Sequence, residues 1–451
     1  MYICSVCSAP AFKWQGRCVV CQNWNVLVEA EEASPQKTSV KSEGVAKKPV
    51  RLAEVDIIKS EKIISSISEW DTVLGGGIMP GSLIIVTGDP GVGKSTLMLQ
   101  VCNAIAARGK KVLYFSSEES LEQLHNKIAT LGLANTAVWF SDDGNAADIL
   151  ATLKAERPVL AIVDSLQNCR LSSGGAQNFS LTTAIKETAH QLMVTAKSEN
   201  IAIIMTGHIT KEGILAGPKL LEHLVDAVFY LQNDTDGQKK ILTSVKNRFG
   251  PIDEIGFFEL GEKGFVEVCN VNQALLEEAS RKDTLGSVLF LSFHGSRCLL
   301  SEFQALCVKN HTNLPQRVIS GVDAKRVLII AALLEKYLKL DFSNQDIFFK
   351  IRGGIKIAEN CSDLAIALAI LSSLLKTPVP AKTIAVGEIN LGGRISAPQN
   401  LEKLVKNSKK LGVAKIITGT NSKDNLTSES VLQLRHVYEL LQVFDNLPQK
   451  Y

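Results

Sequence analysis

Short runs of apolar residues alternate with amphipathic stretches along the middle of the chain. Four such runs lie at 83–87, 112–115, 160–163 and 201–205. Parallel strands that are buried on both faces are continuous apolar runs, whereas the helices that cover them have one apolar face. The alternation therefore predicts an α/β domain over residues 57–270, with a mostly parallel sheet between helices.

The pattern changes on both sides of this segment. Further strand-like and helical patterns follow it, at 287–292, 325–338 and 361–375. They predict a second α/β domain over residues 271–451. Residues 29–56 lack hydrophobic periodicity and are rich in Glu, Lys, Ser and Ala, which predicts a flexible linker. The linker would separate the domains from a cysteine-containing segment, residues 1–28.

Composition narrows the class of protein. The chain of 451 residues is 45% hydrophobic and 21% charged, which is typical of packed domains rather than disordered chains. The formal net charge is +3, so nucleic-acid binding would need local basic patches. The N-terminus lacks the pattern of a secretory signal, and Lys356, Glu359 and Asp363 interrupt the most apolar stretch. We therefore expect a cytoplasmic protein without a membrane span, whose ten cysteines do not form a disulfide framework.

A complete GxxxxGK[ST] motif occupies residues 88–95, between an apolar run and a helical pattern. Its glycines let backbone N–H groups surround the phosphates of ATP. The Lys94 ammonium would neutralise the terminal phosphate, and the Ser95 hydroxyl would bind Mg²⁺. The predicted nucleotide-binding residues are Gly88, Asp89, Pro90, Gly91, Val92, Gly93, Lys94, Ser95 and Thr96.

Acidic residues follow two of the predicted strands. Because the carboxyl ends of parallel strands meet at one edge of a sheet, these side chains should lie beside the phosphates. We predict that Asp164 is the carboxylate on the Mg²⁺ side and that Glu118 is the base that activates water. Glu119 fits better as an acid near a helix N-terminus. His208 ends another strand and is either a sensor of the terminal phosphate or an ordinary packed histidine.

The N-terminal cysteines form two CxxC pairs separated by ten residues. Two such pairs can supply four thiolates to one tetrahedral Zn²⁺, which would contribute the folding energy that so short a segment lacks. The predicted zinc ligands are Cys4, Cys7, Cys18 and Cys21. Lys13, Trp14 and Arg17, between the pairs, are either nucleic-acid contacts or part of an ordinary solvated loop.

The cysteine pairs, the P-loop, Asp164 and above all residues 246–250 (KNRFG) together resemble the RadA (Sms) family of bacterial DNA-repair ATPases. Residues 74–77 (LGGG) and 211–223 also resemble that family, so the similarity covers nearly the whole chain. The resemblance implies a RecA-like ATPase core in a ring that is usually hexameric. It also implies single-stranded and branched DNA as substrates, a recombinase of the RecA type as partner, and translocation that promotes branch migration in recombinational repair.

Two pairs of basic residues are candidate functional groups, one pair by the family resemblance and the other by its position in a loop. In RecA-like rings the nucleotide lies between subunits, and cations of one subunit reach the phosphate of the next. Lys246 and Arg248 match those positions by resemblance. Lys211 and Lys219 lie in the loop after His208 and are candidate DNA contacts, because a cationic loop can follow a DNA backbone. An ordinary surface loop with two lysines is the alternative.

Residues 271–451 resemble the proteolytic domain of Lon proteases, which use a Ser–Lys dyad. Cys361 falls at the position of the nucleophile, with Ser362 beside it. Glu402 holds the position of the partner lysine, and Lys403 follows it. A carboxylate cannot replace the amine that activates the nucleophile, so we predict a domain without protease activity. Such a domain would build the ring and present cations to DNA, and its candidate contacts are Lys350, Arg352, Lys356 and Arg394.

The leading prediction is thus a DNA-dependent ATPase motor that uses ATP, Mg²⁺ and Zn²⁺. Two alternatives stay open at this point: an ATP-dependent Lon-like protease, and a nucleotide-gated assembly protein without motor activity.

Overall fold

The chain forms two compact units, Met1–Lys59 and Ser60–Tyr451, in the computed structural model. The structure describes residues 2–6, 10–11, 13–29, 51, 61–133, 137–169, 181–208, 221–234, 237–278, 284–310, 315–352, 356–420 and 430–444. Nearly all of the predicted linker lies outside these residues, and the predicted boundaries at 28, 56 and 270 stay predictions. Among the described helices, none has the length and apolar character needed to cross a membrane.

The first unit is built on a small antiparallel sheet. Strand β1 (Tyr2–Cys4) lies between β2 (Pro10–Ala11) and β3 (Leu27–Glu29). Its buried residues include Cys4 and Cys18, against which Tyr2, Cys21 and Val26 pack. The core of the described part of this unit is therefore the cysteine cluster itself, as expected for a segment too short to bury a large apolar core.

The larger sheet of the second unit has nine strands. They are β4 (Leu83–Gly88), β5 (Val112–Ser116), β6 (Val138–Ser141), β7 (Leu160–Asp164), β8 (Ala202–His208), β9 (Ala227–Asn233), β10 (Lys239–Asn247), β11 (Ile255–Gly261) and β12 (Gly264–Glu267). The strand order is β12-β11-β10-β9-β4-β8-β7-β5-β6. Strands β9 to β6 in this order are parallel, and β10, β11 and β12 continue the sheet in antiparallel fashion. The predicted parallel sheet is confirmed.

Helices cover both faces of this sheet. They are α1 (Ser68–Val73), α2 (Lys94–Ala106), α3 (Leu121–Thr130), α4 (Ala146–Glu156) and α5 (Leu181–Glu199), and a short 3-10 helix spans Leu166–Asn168. Successive residues of β4 point to opposite faces, so Ile84 and Val86 enter one buried cluster and Leu83 and Ile85 enter the other. Both faces are buried, which explains why the strand is a continuous apolar run.

The second sheet has seven strands in the order β15-β16-β14-β13-β17-β20-β21. The strands of this region are β13 (Ser287–His294), β14 (Arg297–Lys309), β15 (Arg317–Ser320), β16 (Gln345–Arg352), β17 (Thr383–Val386), the hairpin β18 (Glu388–Ile389) and β19 (Ile395–Ser396), β20 (Lys415–Gly419) and β21 (Val431–Leu434). Its helices are α6 (Val271–Glu278), α7 (Ala324–Leu338), α8 (Asp363–Leu375) and α9 (Leu401–Leu411), with 3-10 helices at Asn360–Ser362 and Val437–Val443. Helix α8 confirms the helical pattern predicted there, and it is buried along nearly its whole length.

The hairpin of β13 and β14 joins the two sheets of the second unit. Arg297 donates two hydrogen bonds to the buried carboxylate of Glu69 on α1, at 2.6 and 3.0 Å. The same carboxylate accepts the backbone N–H of Phe257 at 3.0 Å. Beside it, Glu254 accepts the backbone N–H of Ser296 at 2.7 Å. The contact between the sheets is thus a set of buried polar groups with partners on both sides.

Candidate active site

The phosphate-binding loop connects β4 to α2 at the carboxyl edge of the parallel strands. Helix α2 begins at Lys94 after Gly93, whose φ of 107° is a backbone conformation that L side chains rarely adopt. A Cβ at Gly93 would also lie 2.7 Å from the ring of Phe265 on β12. The N-cap residue of α2 is this glycine, which has no side chain to cap the first turn, and the N–H groups of that turn face the loop.

Lys94 is buried within this loop. Its ammonium donates hydrogen bonds to the carbonyl oxygens of Gly88 at 3.0 Å and Asp89 at 3.1 Å. Burial lowers the pKa of Lys94, while the carboxylates of Asp164, Glu118 and Asp89 act in the opposite direction. The lysine predicted from the motif is therefore surrounded by the acids predicted from the strand ends.

Asp164 ends β7 as predicted, and hydroxyl groups of two neighbouring strands hold its carboxylate. The Tyr114 hydroxyl on β5 donates to Oδ2 at 2.5 Å, and the Thr206 hydroxyl on β8 donates to Oδ1. Burial and the adjacent Asp164 raise the pKa of Tyr114 well above its usual range, so this tyrosine stays a donor. The two hydroxyls fix the orientation of a carboxylate that is almost entirely buried.

The two glutamates after β5 have different partners. Glu118 Oε1 accepts hydrogen bonds from the Ser165 hydroxyl at 2.5 Å and from Asn168 Nδ2 at 3.1 Å. Ser165 is the residue after Asp164, so Glu118 is held beside the end of β7. Glu119 instead forms an ion pair with Lys127 on α3, at 2.9 Å. This arrangement fits the choice of Glu118 over Glu119 as the base.

The residues of this site fit ATP and Mg²⁺. The N–H groups in the first turn of α2 and the ammonium of Lys94 are donors for phosphate oxygens. Ser95 on the first turn of α2 and the Asp164 carboxylate offer oxygen ligands, which Mg²⁺ prefers. Tyr230 on β9 donates a hydrogen bond to Asp89 and thereby connects the loop to the next strand. The sequence pattern did not identify Tyr114, Thr206, Ser165 or Tyr230 as part of the site.

Lys246 and Arg248 lie at the other end of the sheet from the P-loop of their own chain. On the parallel strands β4 and β9, Leu231 pairs with Gly88, whereas Ala227, at the other end of β9, pairs with Ile84. Asn247, between the two cations, pairs with Ala227. Four residues of strand separate the two levels, which is roughly 13 Å. The structure therefore does not bring these cations to the phosphate site of the same chain.

Both cations are tied to the segment before β9. Lys246 donates to the carbonyl oxygens of Glu222 and Val225, and burial, followed by the charge of Arg248, lowers the pKa of Lys246. Arg248 is 52% exposed and forms an ion pair with the buried Asp226 at 3.2 Å. These contacts engage the terminal ammonium of Lys246 and one guanidinium nitrogen of Arg248, whose side chain is still about half exposed.

The turn that follows these cations packs against the glycine-rich segment 74–77. A Cβ on Gly75 would lie only 2.8 Å from the Cα of Gly250, so the two backbones are in direct contact. The Lys62 ammonium donates to the carbonyl oxygens of Gly75 at 2.6 Å and Phe249 at 2.9 Å. The two motifs of the predicted family are thus a single packed structure, and Lys62 joins them.

Three of the four predicted zinc ligands lie together. The Sγ atoms of Cys4, Cys18 and Cys21 are within 4.8 Å of one another, and those of Cys4 and Cys21 are 3.5 Å apart. Thiolates around one Zn²⁺ are about 3.8 Å apart, given a Zn–S bond of about 2.3 Å in a tetrahedron. The donor set and spacing therefore fit zinc.

Several predicted residues lie outside the described part of the chain. They are Cys7, Lys211 and Lys219, and for His208 the structure describes the backbone of β8 but not the side chain. Their predicted roles stay predictions.

At the protease-like position of the second sheet, both candidate nucleophiles contact Glu359. The Cys361 thiol donates to the Glu359 carboxylate at 3.3 Å, and burial, reinforced by that carboxylate, raises the pKa of Cys361. Ser362 is fully buried, and its hydroxyl donates to the Glu359 carbonyl at 2.7 Å. Lys403 lies on α9 with its ammonium 4.7 Å from the ring centre of Phe293. Glu402 is exposed at the start of the same helix.

Two family models match parts of the chain. The model described as "AAA domain" matches residues 46–213, and the model described as "Subunit ChlI of Mg-chelatase" matches residues 320–422. With the sheet topology and the cysteine cluster, these matches support the predicted fold class: an α/β protein with a RecA-like P-loop core, an N-terminal cysteine unit and a C-terminal Lon-like domain.

Curated relatives match nearly the full length of the chain. A protein of Streptococcus pyogenes serotype M6 named "DNA repair protein RadA" is 39% identical over 423 residues, which are 93% of this chain and 92% of the relative. Proteins of the same name from Bacillus subtilis and Rickettsia bellii are 35% and 36% identical, covering 96% and 97% of this chain and 95% and 97% of the relatives. A solved structure, described as the RadB recombinase, has a TM-score of 0.36 at 22% identity, over 46% of this chain and 99% of its own.

Proposed function

Because this chain belongs to the RadA family of DNA repair proteins, we propose that it is a cytoplasmic DNA-dependent ATPase that acts in recombinational repair. It translocates on single-stranded DNA and promotes branch migration of recombination intermediates. The observation that carries the ATPase part is the grouping of Lys94, Asp164 and Glu118 at one edge of the parallel sheet. There the Lys94 ammonium interacts electrostatically with the carboxylates of Asp164 and Glu118.

Each of these residues has a role that its contacts support. Lys94 and the N–H groups of α2 bind the phosphates. The hydrogen bonds from the Lys94 ammonium to the carbonyl oxygens of Gly88 and Asp89 hold it within the loop. Ser95 and Asp164 hold Mg²⁺, which when bound neutralises charge on the phosphates. Glu118 orients water and accepts its proton, because the Ser165 and Asn168 hydrogen bonds hold one of its oxygens beside Asp164.

Lys246 and Arg248 act on the nucleotide of a neighbouring subunit in a homo-oligomeric ring, which is a hexamer by family resemblance. Their position at the opposite end of the sheet from their own P-loop supports this role. A head-to-tail ring interface brings opposite ends of neighbouring subunits together. The 52% exposure of Arg248 leaves its guanidinium accessible to such a neighbour.

The remaining partners follow from the family. Single-stranded and branched DNA bind with the help of Lys211 and Lys219, and a recombinase of the RecA type is the protein partner. Zn²⁺ is held by Cys4, Cys7, Cys18 and Cys21, for which the cluster of three thiols is the support. The Lon-like domain acts without proteolysis, since the Cys361 thiol is kept protonated and faces a carboxylate.

The first test compares ATP hydrolysis with and without single-stranded DNA for the parent chain, Lys94→Ala and Glu118→Gln. We expect DNA to stimulate the parent and both variants to lose at least about a hundredfold in rate, since each removes a group that acts on the reacting phosphate. The matched control is Glu119→Gln, whose ion pair with Lys127 keeps it out of the chemistry, and it should retain the parental rate within about twofold. If the rate of ATP hydrolysis does not change when DNA is added, the chain is better explained as a nucleotide-gated assembly protein than as a DNA-dependent motor.

A second test mixes two inactive variants, Lys94→Ala and Arg248→Ala. At mixed interfaces an intact P-loop meets an intact arginine of the neighbouring subunit, so activity should return to roughly a quarter of the parental rate. A mixture that stays inactive would contradict the role of Arg248 between subunits.

Bound zinc is measured separately by metal analysis. Removal of the metal with a chelator should make four thiols available for titration.

A further inference from the structure

An aromatic cluster outside the ATPase site lies on the surface of the second sheet. It consists of Tyr337 at the end of α7 and of His436 and Tyr438 after β21. The rings of His436 and Tyr438 are stacked, with centres 4.5 Å apart and an interplanar angle of 17°. The Tyr337 ring meets both edge-on, at 5.1 and 5.6 Å. Such arrangements are favourable for aromatic rings.

Hydrogen bonds and close packing hold these rings in place. His436 Nε2 faces the Gly392 carbonyl at 3.0 Å, and Nδ1 accepts the Tyr438 N–H at 3.4 Å. Because a carbonyl oxygen can only accept, Nε2 is the donor to Gly392. A Cβ at Gly393, which has a φ of +81°, would lie 2.6 Å from His436 and 3.0 Å from Tyr337. The bare glycine lets the rings pack directly on the β18–β19 turn.

The cluster is ordered but not buried. The Tyr438 side chain is 59% exposed, and Leu391 at the tip of the adjoining turn is 72% exposed. The Tyr337 hydroxyl donates to the Leu391 carbonyl at 3.3 Å, which joins the turn to the rings. An exposed aromatic ring whose position is already fixed by its neighbours loses little conformational freedom when it binds a partner.

Cations surround the rings. The Lys336 ammonium lies 5.1 Å from the ring centre of Tyr337. Two exposed arginines adjoin His436: Arg435 precedes it in the chain, and Arg394 pairs with it in an isolated antiparallel bridge. Of the nearby acids, Glu439 turns its carboxylate to the Arg435 N–H at 2.8 Å. The surface thus combines an exposed aromatic face with positive charge, which suits a planar group attached to a phosphate.

We propose that this cluster is a stacking site for unpaired nucleobases of single-stranded DNA, with Tyr438 as the platform and Lys336, Arg394 and Arg435 as phosphate partners. Aromatic faces bind bases of any sequence, and cations beside them follow the backbone. Bases within a duplex already stack on one another, so the site prefers single strands. The site is separate from the nucleotide site and rests on the proposed action on DNA.

Binding of dye-labelled oligonucleotides to the full chain tests the proposal by fluorescence anisotropy. Tyr438→Ala should weaken binding of an oligo(dT) by about tenfold to a hundredfold, and Tyr438→Phe should retain it within about threefold, because the ring and not the hydroxyl carries the stacking. An oligomer of abasic sites should bind the parent and Tyr438→Ala equally. The slope of affinity against salt should stay unchanged for Tyr438→Ala and fall for Arg394→Ala with Arg435→Ala.

Trp139→Ala is the matched control, since Trp139 is another exposed ring with a lysine ammonium 5.3 Å from its centre. It should leave oligo(dT) binding unchanged, and circular dichroism should show that every variant is folded. Equal loss in the Tyr438 and Trp139 variants, or unchanged binding in Tyr438→Ala, would overturn the stacking site even if DNA stimulates the ATPase. In the latter case the surface would belong to a peptide or protein partner. A parent chain that binds no DNA would instead remove the proposed function as well.

Discussion

The ion pair between Arg297 and Glu69 gives the sharpest prediction about stability. Glu69 is 2% exposed and has two hydrogen bonds from Arg297, at 2.6 and 3.0 Å. The substitution Arg297→Met retains a long apolar stem but leaves the carboxylate buried with its charge uncompensated. Breaking a buried pair from one side costs about 3–5 kcal/mol, so we expect a loss of that size in the free energy of unfolding.

Trp70 is a suitable probe for this experiment. It follows Glu69 in α1 and is fully buried, whereas the other tryptophans, Trp14, Trp24 and Trp139, are more than half exposed. The shift of tryptophan emission during urea unfolding therefore reports mainly on the surroundings of the ion pair. The measured quantity is the change in unfolding midpoint multiplied by the slope of free energy against urea.

Two comparisons decide the interpretation. Arg157→Met removes an exposed partner of Glu199 and should cost about 0–1 kcal/mol, as surface pairs do. Adding Glu69→Gln to Arg297→Met should recover about 1–3 kcal/mol, because the buried charge is then gone. If Arg297→Met costs no more than Arg157→Met, the Glu69 carboxylate is not a buried charge that depends on Arg297, and this ion pair does not stabilise the contact between the sheets.

Three further predictions follow from single contacts. Gly93→Ala should weaken binding of a fluorescent ADP analogue at least about tenfold, because alanine is strained in this backbone conformation and its Cβ would meet the ring of Phe265. The control is Gly109→Ala, which also has a positive φ but has open space around the Cβ, and it should bind the analogue normally. Lys62→Met should lower the unfolding free energy by about 1–3 kcal/mol, since two charged hydrogen bonds are lost, and Lys62→Arg should recover part of it in the urea assay. Burial and an adjacent carboxylate raise the pKa of Cys361, so less thiolate forms at pH 8. Iodoacetamide should therefore modify Cys361 at least about tenfold more slowly than an unstructured cysteine, whose pKa is about 8.5. Peptide mapping by mass spectrometry measures this rate.

The strand pattern predicted the edge of the sheet where the site lies. Strands β5 and β7 are buried on both faces and could be found as apolar runs, and the structure places them side by side. Their carboxyl ends therefore meet, as the rule for parallel sheets requires. Asp164 and Glu118 were placed together by this rule alone, without knowledge of the strand order.

The hydroxyl partners of Asp164 could not be found in this way. Tyr114 is separated from it by 50 residues and Thr206 by 42, so the contacts depend on the register of three strands. Tyr114 lies within an apolar run and Thr206 directly follows one, so both look like ordinary strand positions in the sequence. The same limit applies to Glu69, one of two acids in a six-residue helix, whose partner Arg297 lies 228 residues away.

Strand β12 explains why the contact between the sheets bears on the nucleotide site. The ring of Phe265 on β12 occupies the space beside Gly93, where the P-loop enters α2, and Glu267, two residues later, accepts the Glu69 N–H at 2.6 Å. Glu69 in turn holds Arg297. Packed interiors transmit displacements of this kind more readily than they absorb them. Loss of Arg297 should therefore lower the affinity for ADP under conditions where the protein stays folded, and an unchanged affinity in Arg297→Met would show that β12 takes up the displacement before it reaches the loop.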